Sequence, residues 1–172
     1  MTSERILVVD DEDSVRYVLE TFLKRKGCEV VTAGTAEQAL EKLDESPPAV
    51  ALLDIVLPGM NGIQLLGEIK ARSNDSQVVM MTSHGSMETA VGAIHHGAFD
   101  YLQKPFENLE EIWTTVQRAL EKRSVEMSSR ELVAERSHRS REISETVDRL
   151  QAPVVKGENP HASDSGPRSS RD

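Results

Sequence analysis

The feature that most constrains the fold is a fivefold alternation of short apolar runs with longer segments of helical periodicity. Four runs are almost wholly apolar, and a weaker fifth follows them: Ile6–Val9, Val30–Val31, Val50–Leu53, Val78–Met81 and Tyr101–Leu102. They lack the apolar/polar alternation of a half-exposed strand, so they predict strands buried on both faces of a parallel sheet.

The segments between and after these runs carry apolar residues at helical spacing. The clearest stripes are Val15, Val18, Leu19, Phe22 and Leu23; Ala36, Ala39, Leu40 and Leu43; Met87, Ala90, Val91 and Ile94; and Leu109, Ile112, Val116 and Ala119. A less regular helix is predicted from Ile63 to about Arg72. Gly27 and Gly97 stand where helix C-caps belong, and Thr35 with Gln38 has the spacing of a capping box. Together these patterns predict an α/β domain with a doubly wound, five-stranded parallel sheet.

The pattern changes after residue 122. Residues 123–151 are charged, free of Gly and Pro, and sparsely apolar, which predicts a helical extension that continues the last helix. A gap in the apolar residues between Ala134 and Ile143 breaks a sustained heptad, so a coiled coil is only weakly supported. Residues 152–172 are rich in Pro, Gly and Ser, and too little apolar surface is available there to offset chain entropy, so a disordered tail is expected.

Charge and cysteine content exclude several classes of protein. The formal net charge is −9, and the acidic excess lies within residues 1–122, which argues against nonspecific attraction to nucleic acid or an anionic membrane. The single cysteine, Cys28, cannot form an internal disulfide. No apolar stretch is long enough for a membrane span or a signal sequence, so a cytoplasmic location is predicted.

Polar residues follow the predicted strands where a ligand site is expected. Asp10 and Asp11 follow the first strand, Asp54 the third, Thr82 the fourth and Lys104 the fifth. Ligands of doubly wound sheets bind beyond the carboxyl ends of the strands, so these side chains should meet there. Crowded carboxylates repel one another unless a cation joins them, and an all-oxygen site suits Mg²⁺.

A carboxylate beside Mg²⁺, an ammonium and a hydroxyl matches the needs of phosphoryl transfer, which depends on positioning and on neutralising the charge of the phosphoryl oxygens. In this interpretation Asp54 is the nucleophile. Lys104 supplies positive charge to one phosphoryl oxygen and Thr82 a hydrogen bond to another.

Four fragments, ILVVDDEDSVR, LLDIVLPGMNG, VVMMTSHG and GAFDYLQKPF, occur in an order and spacing that resemble the receiver domains of two-component response regulators, over roughly residues 4–122. The GSMETAVGAIHHGAFDYLQKPF stretch is most similar to receivers of the nitrogen-regulator class. The resemblance implies a flavodoxin-like sheet with strand order 2-1-3-4-5 and a receiver domain over residues 1–122.

The resemblance also implies roles for individual residues. Asp54 is the expected phosphoacceptor, Thr82 the switch hydroxyl and Tyr101 the switch aromatic, with Lys104 completing the site. The implied metal ligands are Asp11, Asp54 and the backbone carbonyl of Val56, with Asp10 as the other member of the acidic pair. A cis peptide bond is expected between Lys104 and Pro105.

The implied partners are proteins. A sensor histidine kinase is the expected phosphoryl donor, and a downstream protein is expected to read the face formed by the fourth helix, fifth strand and fifth helix. The same face can form a homodimer in relatives. The chain would then be a phosphoacceptor signalling protein and not an enzyme, without direct nucleic-acid or membrane binding.

Two departures from relatives and two alternatives bear on this interpretation. Val56 and His84 occupy variable positions that tune phosphoryl lifetime, and no GxxxxGK[ST] phosphate loop or output domain is present. One alternative is a Mg²⁺-dependent phosphohydrolase with an aspartyl nucleophile, although such an enzyme would usually have a second Asp at position 56. The other is an interaction module that works without phosphorylation. Under any of these interpretations, the chain can also be a fragment of a longer regulator.

Overall fold

The computed structural model describes residues 3–83 and 87–153. Its five strands are β1 (Arg5–Val9), β2 (Glu29–Ala33), β3 (Val50–Asp54), β4 (Gln77–Thr82) and β5 (Asp100–Gln103). Its five helices are α1 (Asp13–Arg25), α2 (Ala36–Glu45), α3 (Gly62–Arg72), α4 (Met87–His95) and α5 (Leu109–Gln151). Strand and helix alternate throughout, as the apolar pattern predicts.

All strand pairings in the sheet are parallel, and the strand order is β2-β1-β3-β4-β5. The predicted fold class and strand order are therefore confirmed. The order reverses beside β1, because the chain first moves outward to β2 and then crosses to β3. Such a switch point opens a crevice at the carboxyl ends of β1 and β3.

Alternate residues of each strand enter two separate apolar clusters. Leu7 and Val9 face one cluster, which α2, α3 and α4 cover, while Ile6 and Val8 face the other, which α1 and α5 cover. The strand β3 is buried along its whole length, whereas β5 at the sheet edge is only half-buried. This difference explains why the fifth apolar run is weaker in the sequence.

The predicted helix ends agree with the backbone in most details. Gly27 and Gly97 have φ values of 90° and 99°, in the left-handed region that favours glycine after a helix. The Thr35 side chain accepts a hydrogen bond from the Gln38 N–H at 3.2 Å. The Gln38 side chain accepts from the Gly34 N–H instead of completing the capping box.

The last helix continues beyond residue 122, as predicted, and ends at Gln151. Among the described residues, packing divides the chain into two units, with the boundary between Glu131 and Leu132. In the second unit the apolar side chains of Leu132, Val133, Ile143 and Leu150 are exposed. Residues 154–172, most of the tail expected to be disordered, lie outside the described residues. In the parts of the chain that the structure describes, every helix is too short or too polar to span a lipid bilayer.

Candidate functional site

The carboxylate of Asp54 lies at the carboxyl end of the central strand β3 and is almost fully buried. Its Oδ1 accepts a hydrogen bond from the backbone N–H of Val56 at 3.0 Å, which fixes the carboxylate plane. The other oxygen, Oδ2, accepts from the Lys104 ammonium at 3.0 Å. One oxygen is therefore held by the backbone, and the other by the buried Lys104 ammonium.

Lys104 joins the carboxylates of neighbouring strand ends. Its Nζ contacts Asp10 Oδ2 and Asp54 Oδ2, and lies 3.8 Å from Glu12 Oε1. The backbone N–H of Lys104 donates to the Thr82 carbonyl at 2.7 Å. The Lys104–Pro105 peptide bond is cis, as expected. The backbone at the end of β4 thus sets the position from which the lysine reaches the acidic residues.

The surroundings of Asp10 and Lys104 raise the pKa values of both groups. The shift disfavours the ionised form of Asp10 and favours the ionised form of Lys104. Burial raises the pKa of the Asp10 carboxyl above its ordinary value; Lys104 and the Glu12 N–H oppose this shift, and the Asp54 charge adds to it. Burial alone would lower the pKa of Lys104, but the carboxylates of Asp10 and Asp54 outweigh it and raise that pKa. The two carboxylates therefore stabilise the Lys104 ammonium, whereas burial disfavours the ionised form of Asp10.

Asp10, Asp11 and Glu12 form an acidic group that could hold a cation. Each offers a carboxylate oxygen, and these oxygens lie within 4.8 Å of one another. Asp10 is fully buried, while Asp11 and Glu12 are exposed. Hard oxygen donors in a partly open group fit a hydrated Mg²⁺ ion, which keeps several waters.

The structure brings only some of the predicted site residues into direct contact. Asp10, Asp54 and Lys104 are in contact through the ammonium, and Asp11 joins them through the acidic group. Thr82 is buried at the end of β4, where its carbonyl accepts from the Lys104 backbone N–H, whereas Tyr101 on β5 is 40% exposed. Val56 is exposed beside Asp54, and His84 lies outside the described residues.

Sequence reasoning missed Glu12, Gly62 and Arg16. Glu12 is the third member of the acidic run DDE, so its adjacency to Asp10 and Asp11 was an available signal. Gly62 lies so close to the Asp54 carbonyl that a Cβ there would overlap the oxygen. Arg16 donates to the Asp10 carbonyl, and no pattern in the sequence indicates such a contact.

A cavity of about 520 Å³ opens beside Lys104. Its lining is mainly apolar and comes from α1, its preceding loop, Ser83 and the segment after β5. The lining residues are Glu12, Ser14, Val15, Val18, Ser83, Lys104, Pro105, Phe106 and Leu109. The site is thus approached across a mainly apolar surface.

Comparisons with known proteins agree with this geometry. The family model "response regulator receiver domain" matches residues 6–117. Regulatory protein AtoC of Escherichia coli K12 is 42% identical over 128 residues, which are 74% of this chain and 28% of AtoC. The transcriptional regulator NtrC of the same organism is 43% identical over 115 residues, which are 67% of this chain and 24% of NtrC.

Solved structures give the same result. NtrX from Brucella abortus in complex with ADP superposes with a TM-score of 0.72 at 38% identity, covering 76% of this chain and 30% of NtrX. The beryllofluoride-activated NtrC4 receiver domain dimer superposes with a TM-score of 0.66 at 39% identity, covering 69% of this chain and 98% of that chain.

A doubly wound sheet with a buried aspartate and lysine meeting an acidic group at the switch point defines a class of signalling domain. The chain belongs to the response regulator receiver domain family of two-component signal transduction, and its relatives are of the NtrC, NtrX and AtoC type. It spans about a quarter of the length of the curated relatives that it matches.

Proposed function

We propose that this protein accepts a phosphoryl group on Asp54 in a Mg²⁺-dependent reaction and signals by a change of conformation. The observation that carries the proposal is the contact of the Lys104 ammonium with the buried carboxylates of Asp10 and Asp54. These two carboxylates lie at the ends of neighbouring strands. A lysine shared by two buried carboxylates is poised to follow negative charge that arrives at either of them.

In the transfer step, a carboxylate oxygen of Asp54 attacks phosphorus. The new O–P bond forms as the bond from phosphorus to the donor breaks, and the donor leaves with that electron pair. If the donor is a phosphohistidine of a sensor kinase, the broken bond is P–N and the leaving imidazole takes up a proton. The Val56 N–H keeps Asp54 oriented, and Lys104 and the Thr82 hydroxyl would each hold a phosphoryl oxygen.

Asp10, Asp11, Asp54 and the Val56 carbonyl are the proposed Mg²⁺ ligands, and Glu12 lies close enough to take part through water. Bound Mg²⁺ would neutralise charge on the phosphoryl oxygens. The closeness of the Asp10, Asp11 and Glu12 carboxylate oxygens supports this assignment. The carboxyl groups of Asp10, Asp11, Glu12 and Asp54 outnumber the Lys104 ammonium that contacts Asp10 and Asp54, which favours the binding of a divalent cation.

The proposed switch uses Thr82 and Tyr101. Phosphorylation would draw the Thr82 hydroxyl toward the phosphoryl group, and the Tyr101 ring, now 40% exposed, would turn inward. The face of α4, β5 and α5 would then present a different surface to a downstream protein or to a second copy of the chain. The kinase would meet the protein around α1 and the apolar cavity beside Lys104.

The remaining parts of the proposal concern the chain as a whole. We propose a receiver domain over residues 1–122, a helical extension over residues 123–151 and a disordered tail over residues 152–172. The protein would act in the cytoplasm as a phosphoacceptor and not as a turnover enzyme, without direct contact with nucleic acid. The position two residues after Asp54 is Val56, which lacks the acid/base group that a phosphohydrolase would need there.

The test is phosphorylation by acetyl phosphate, followed on a phosphate-affinity gel and by intact mass. Wild type is compared with Asp54→Asn, with an EDTA-treated sample, and with Asp44→Asn as a matched control. Asp44 is an exposed carboxylate that pairs with Arg72 on the surface. We expect one added phosphoryl group in wild type and in Asp44→Asn, and none in Asp54→Asn or with EDTA.

Three other outcomes would contradict the proposal. Equal labelling of Asp54→Asn would place the phosphoryl group elsewhere. A folded wild-type protein that is labelled neither by acetyl phosphate nor by a panel of sensor kinases would favour a phosphorylation-independent interaction module. Steady release of phosphate from a generic phosphomonoester would favour the hydrolase instead.

A further inference from the structure

Arg16 on α1 lies behind the acidic group and outside the set of residues assigned to phosphoryl transfer. Its Nη1 donates to the backbone carbonyl of Asp10 at 2.6 Å, and its Nη2 pairs with the carboxylate of Asp13. The Arg16 side chain is only 21% exposed, although its partner Asp13 is 92% exposed. The guanidinium is therefore packed into the loop after β1.

The other bonds of Asp10 show what Arg16 completes. The Asp10 N–H donates to the Ala33 carbonyl at 3.1 Å, and Asp10 Oδ1 accepts from the Glu12 N–H at 2.9 Å. Asp10 is fully buried, so a carbonyl without a partner would be costly there. Arg16 satisfies that carbonyl and so fixes the last part of the Asp10 backbone.

A glycine provides the space for this arrangement. A Cβ at Gly34 would stand 3.1 Å from Arg16 Nη1 and 3.5 Å from its Cζ. The Gly34 N–H donates to the Gln38 side-chain oxygen at 2.9 Å. The segment between β2 and α2 therefore packs against the guanidinium. Arg16 therefore lies between this segment and the loop after β1 that carries the acidic residues.

We infer that Arg16 is a positioning residue for the cation site: it orients the backbone from which the Asp10 and Asp11 carboxylates project, without touching the cation. The inference rests on the proposed function, because it assigns Arg16 a role at the same site. Two physical effects of Arg16 act in opposite directions. Its hydrogen bond to Asp10 would favour cation binding through geometry, whereas its charge would oppose a cation through repulsion.

The experiment separates these effects by direct titration of Mg²⁺ in calorimetry on the full chain. Wild type is compared with Arg16→Met, which removes the donor and the charge, and with Arg16→Lys, which keeps the charge. Gly34→Ala keeps the guanidinium but displaces it. Arg72→Met is the matched control, since it removes a helical arginine that pairs at the surface with Asp44. Circular dichroism checks that each variant is folded.

If Arg16 positions the site, Arg16→Met binds Mg²⁺ roughly tenfold more weakly, as is usual when a partner of a metal ligand is lost. Arg16→Lys then recovers part of the affinity, Gly34→Ala loses part of it, and Arg72→Met matches wild type. At saturating Mg²⁺ the extent of phosphorylation in Arg16→Met returns to near the wild-type level, because the transfer groups are intact. Should Arg16→Met fail to fold, Gly34→Ala supplies the same test.

Unchanged or tighter Mg²⁺ binding in Arg16→Met and Gly34→Ala, with wild type binding the ion and accepting phosphate, overturns the role of Arg16 and leaves the proposed function standing. A folded wild-type protein that neither binds Mg²⁺ nor accepts phosphate overturns the proposed function, and the inference with it.

Discussion

The contacts of single residues around Asp54 leave little free space. The helix α3 begins directly against the end of β3, where the Gly62 N–H donates to the Ile55 carbonyl at 2.8 Å. A Cβ on Gly62 would overlap the Asp54 carbonyl oxygen and lie 2.7 Å from the Ile55 Cα. Both are backbone atoms, so relief would require a shift of the strand end that carries the phosphoacceptor.

Gly62→Ala should therefore lower the free energy of unfolding by about 1 to 3 kcal/mol, the cost of overpacking, and should also reduce phosphorylation by acetyl phosphate. Gly67 lies in the same helix, and a methyl group there would have no neighbouring atom within 4 Å. Gly67→Ala should stabilise the protein by about 0.5 to 1 kcal/mol through helix propensity. Urea denaturation measures both, and equal effects of the two substitutions would contradict the close approach at Gly62.

The raised pKa of Asp10 has a consequence for stability. The folded protein holds the Asp10 proton more tightly than the unfolded chain does, so the associated stability is present below the ordinary pKa of 3.8 and is lost as pH rises through the folded pKa. Asp10→Asn stays neutral and escapes this loss. In EDTA, its stability relative to wild type should increase as pH rises from about 4 to about 7.

Denaturant midpoints at a series of pH values check this expectation. Asp44→Asn, which alters only an exposed ion pair with Arg72, should change the free energy of unfolding by less than about 1 kcal/mol throughout. If the stability of Asp10→Asn relative to wild type falls instead as pH rises, the ion pair with Lys104 outweighs the cost of burying the Asp10 charge.

Among the elements, α5 makes contacts that continue past the residues matched by the family model. The Gln77 Nε2, at the start of β4, donates to Glu126 Oε2 at 3.0 Å, and Asp75 pairs with Arg130. Gln77 is almost fully buried. Residues of α5 up to Arg130 therefore contact the amino end of β4, whereas the acidic site lies at the carboxyl ends of the strands.

Glu126→Ala should destabilise the protein by about 1 kcal/mol or more, because it leaves the buried Gln77 amide without this acceptor. Glu121→Ala, an exposed position on the same helix, should change stability by only a few tenths of a kcal/mol. Thermal denaturation of the pair measures the difference, and equal melting temperatures would show that the Gln77–Glu126 bond contributes nothing.

At the scale of the whole molecule, packing places the limit of the first compact unit at residue 131. The Arg123 Nη1 lies 3.9 Å from Glu4 Oε2. The contacts of Glu126 with Gln77 and of Arg130 with Asp75 follow on the next turns of α5. A chain that ends at residue 122 would lack all three contacts, whereas one that ends at residue 131 would keep them.

We expect the chain shortened to residues 1–131 to unfold at the same denaturant midpoint as the same unit in the full protein. The chain shortened to residues 1–122 should lose roughly 1 to 3 kcal/mol, since exposed ion pairs contribute little and the buried Gln77 contact contributes more. Equal stabilities of the two shortened chains would place the C-terminal limit of the stable domain near residue 122.

Local sequence patterns were sufficient to predict the order and type of the elements, because burial on both faces of a parallel sheet requires apolar runs and helices require an apolar stripe. Composition and spacing also indicated Asp10, Asp11, Asp54, Thr82 and Lys104, since each follows a predicted strand. Resemblance to the receiver family supplied the strand order and the cis peptide, and the structure agrees with both.

The contacts among these groups could not be predicted from local patterns. Lys104 contacts Asp10 and Asp54, Arg16 donates to the Asp10 carbonyl, and Gly62 lies against Asp54. Each of these contacts joins strand ends and helix starts that are distant in the sequence. The limit of the first unit within a continuous helix was also hidden, because helical periodicity does not record what a helix packs against. Local patterns report burial and backbone preference, whereas a site consists of distances across the fold.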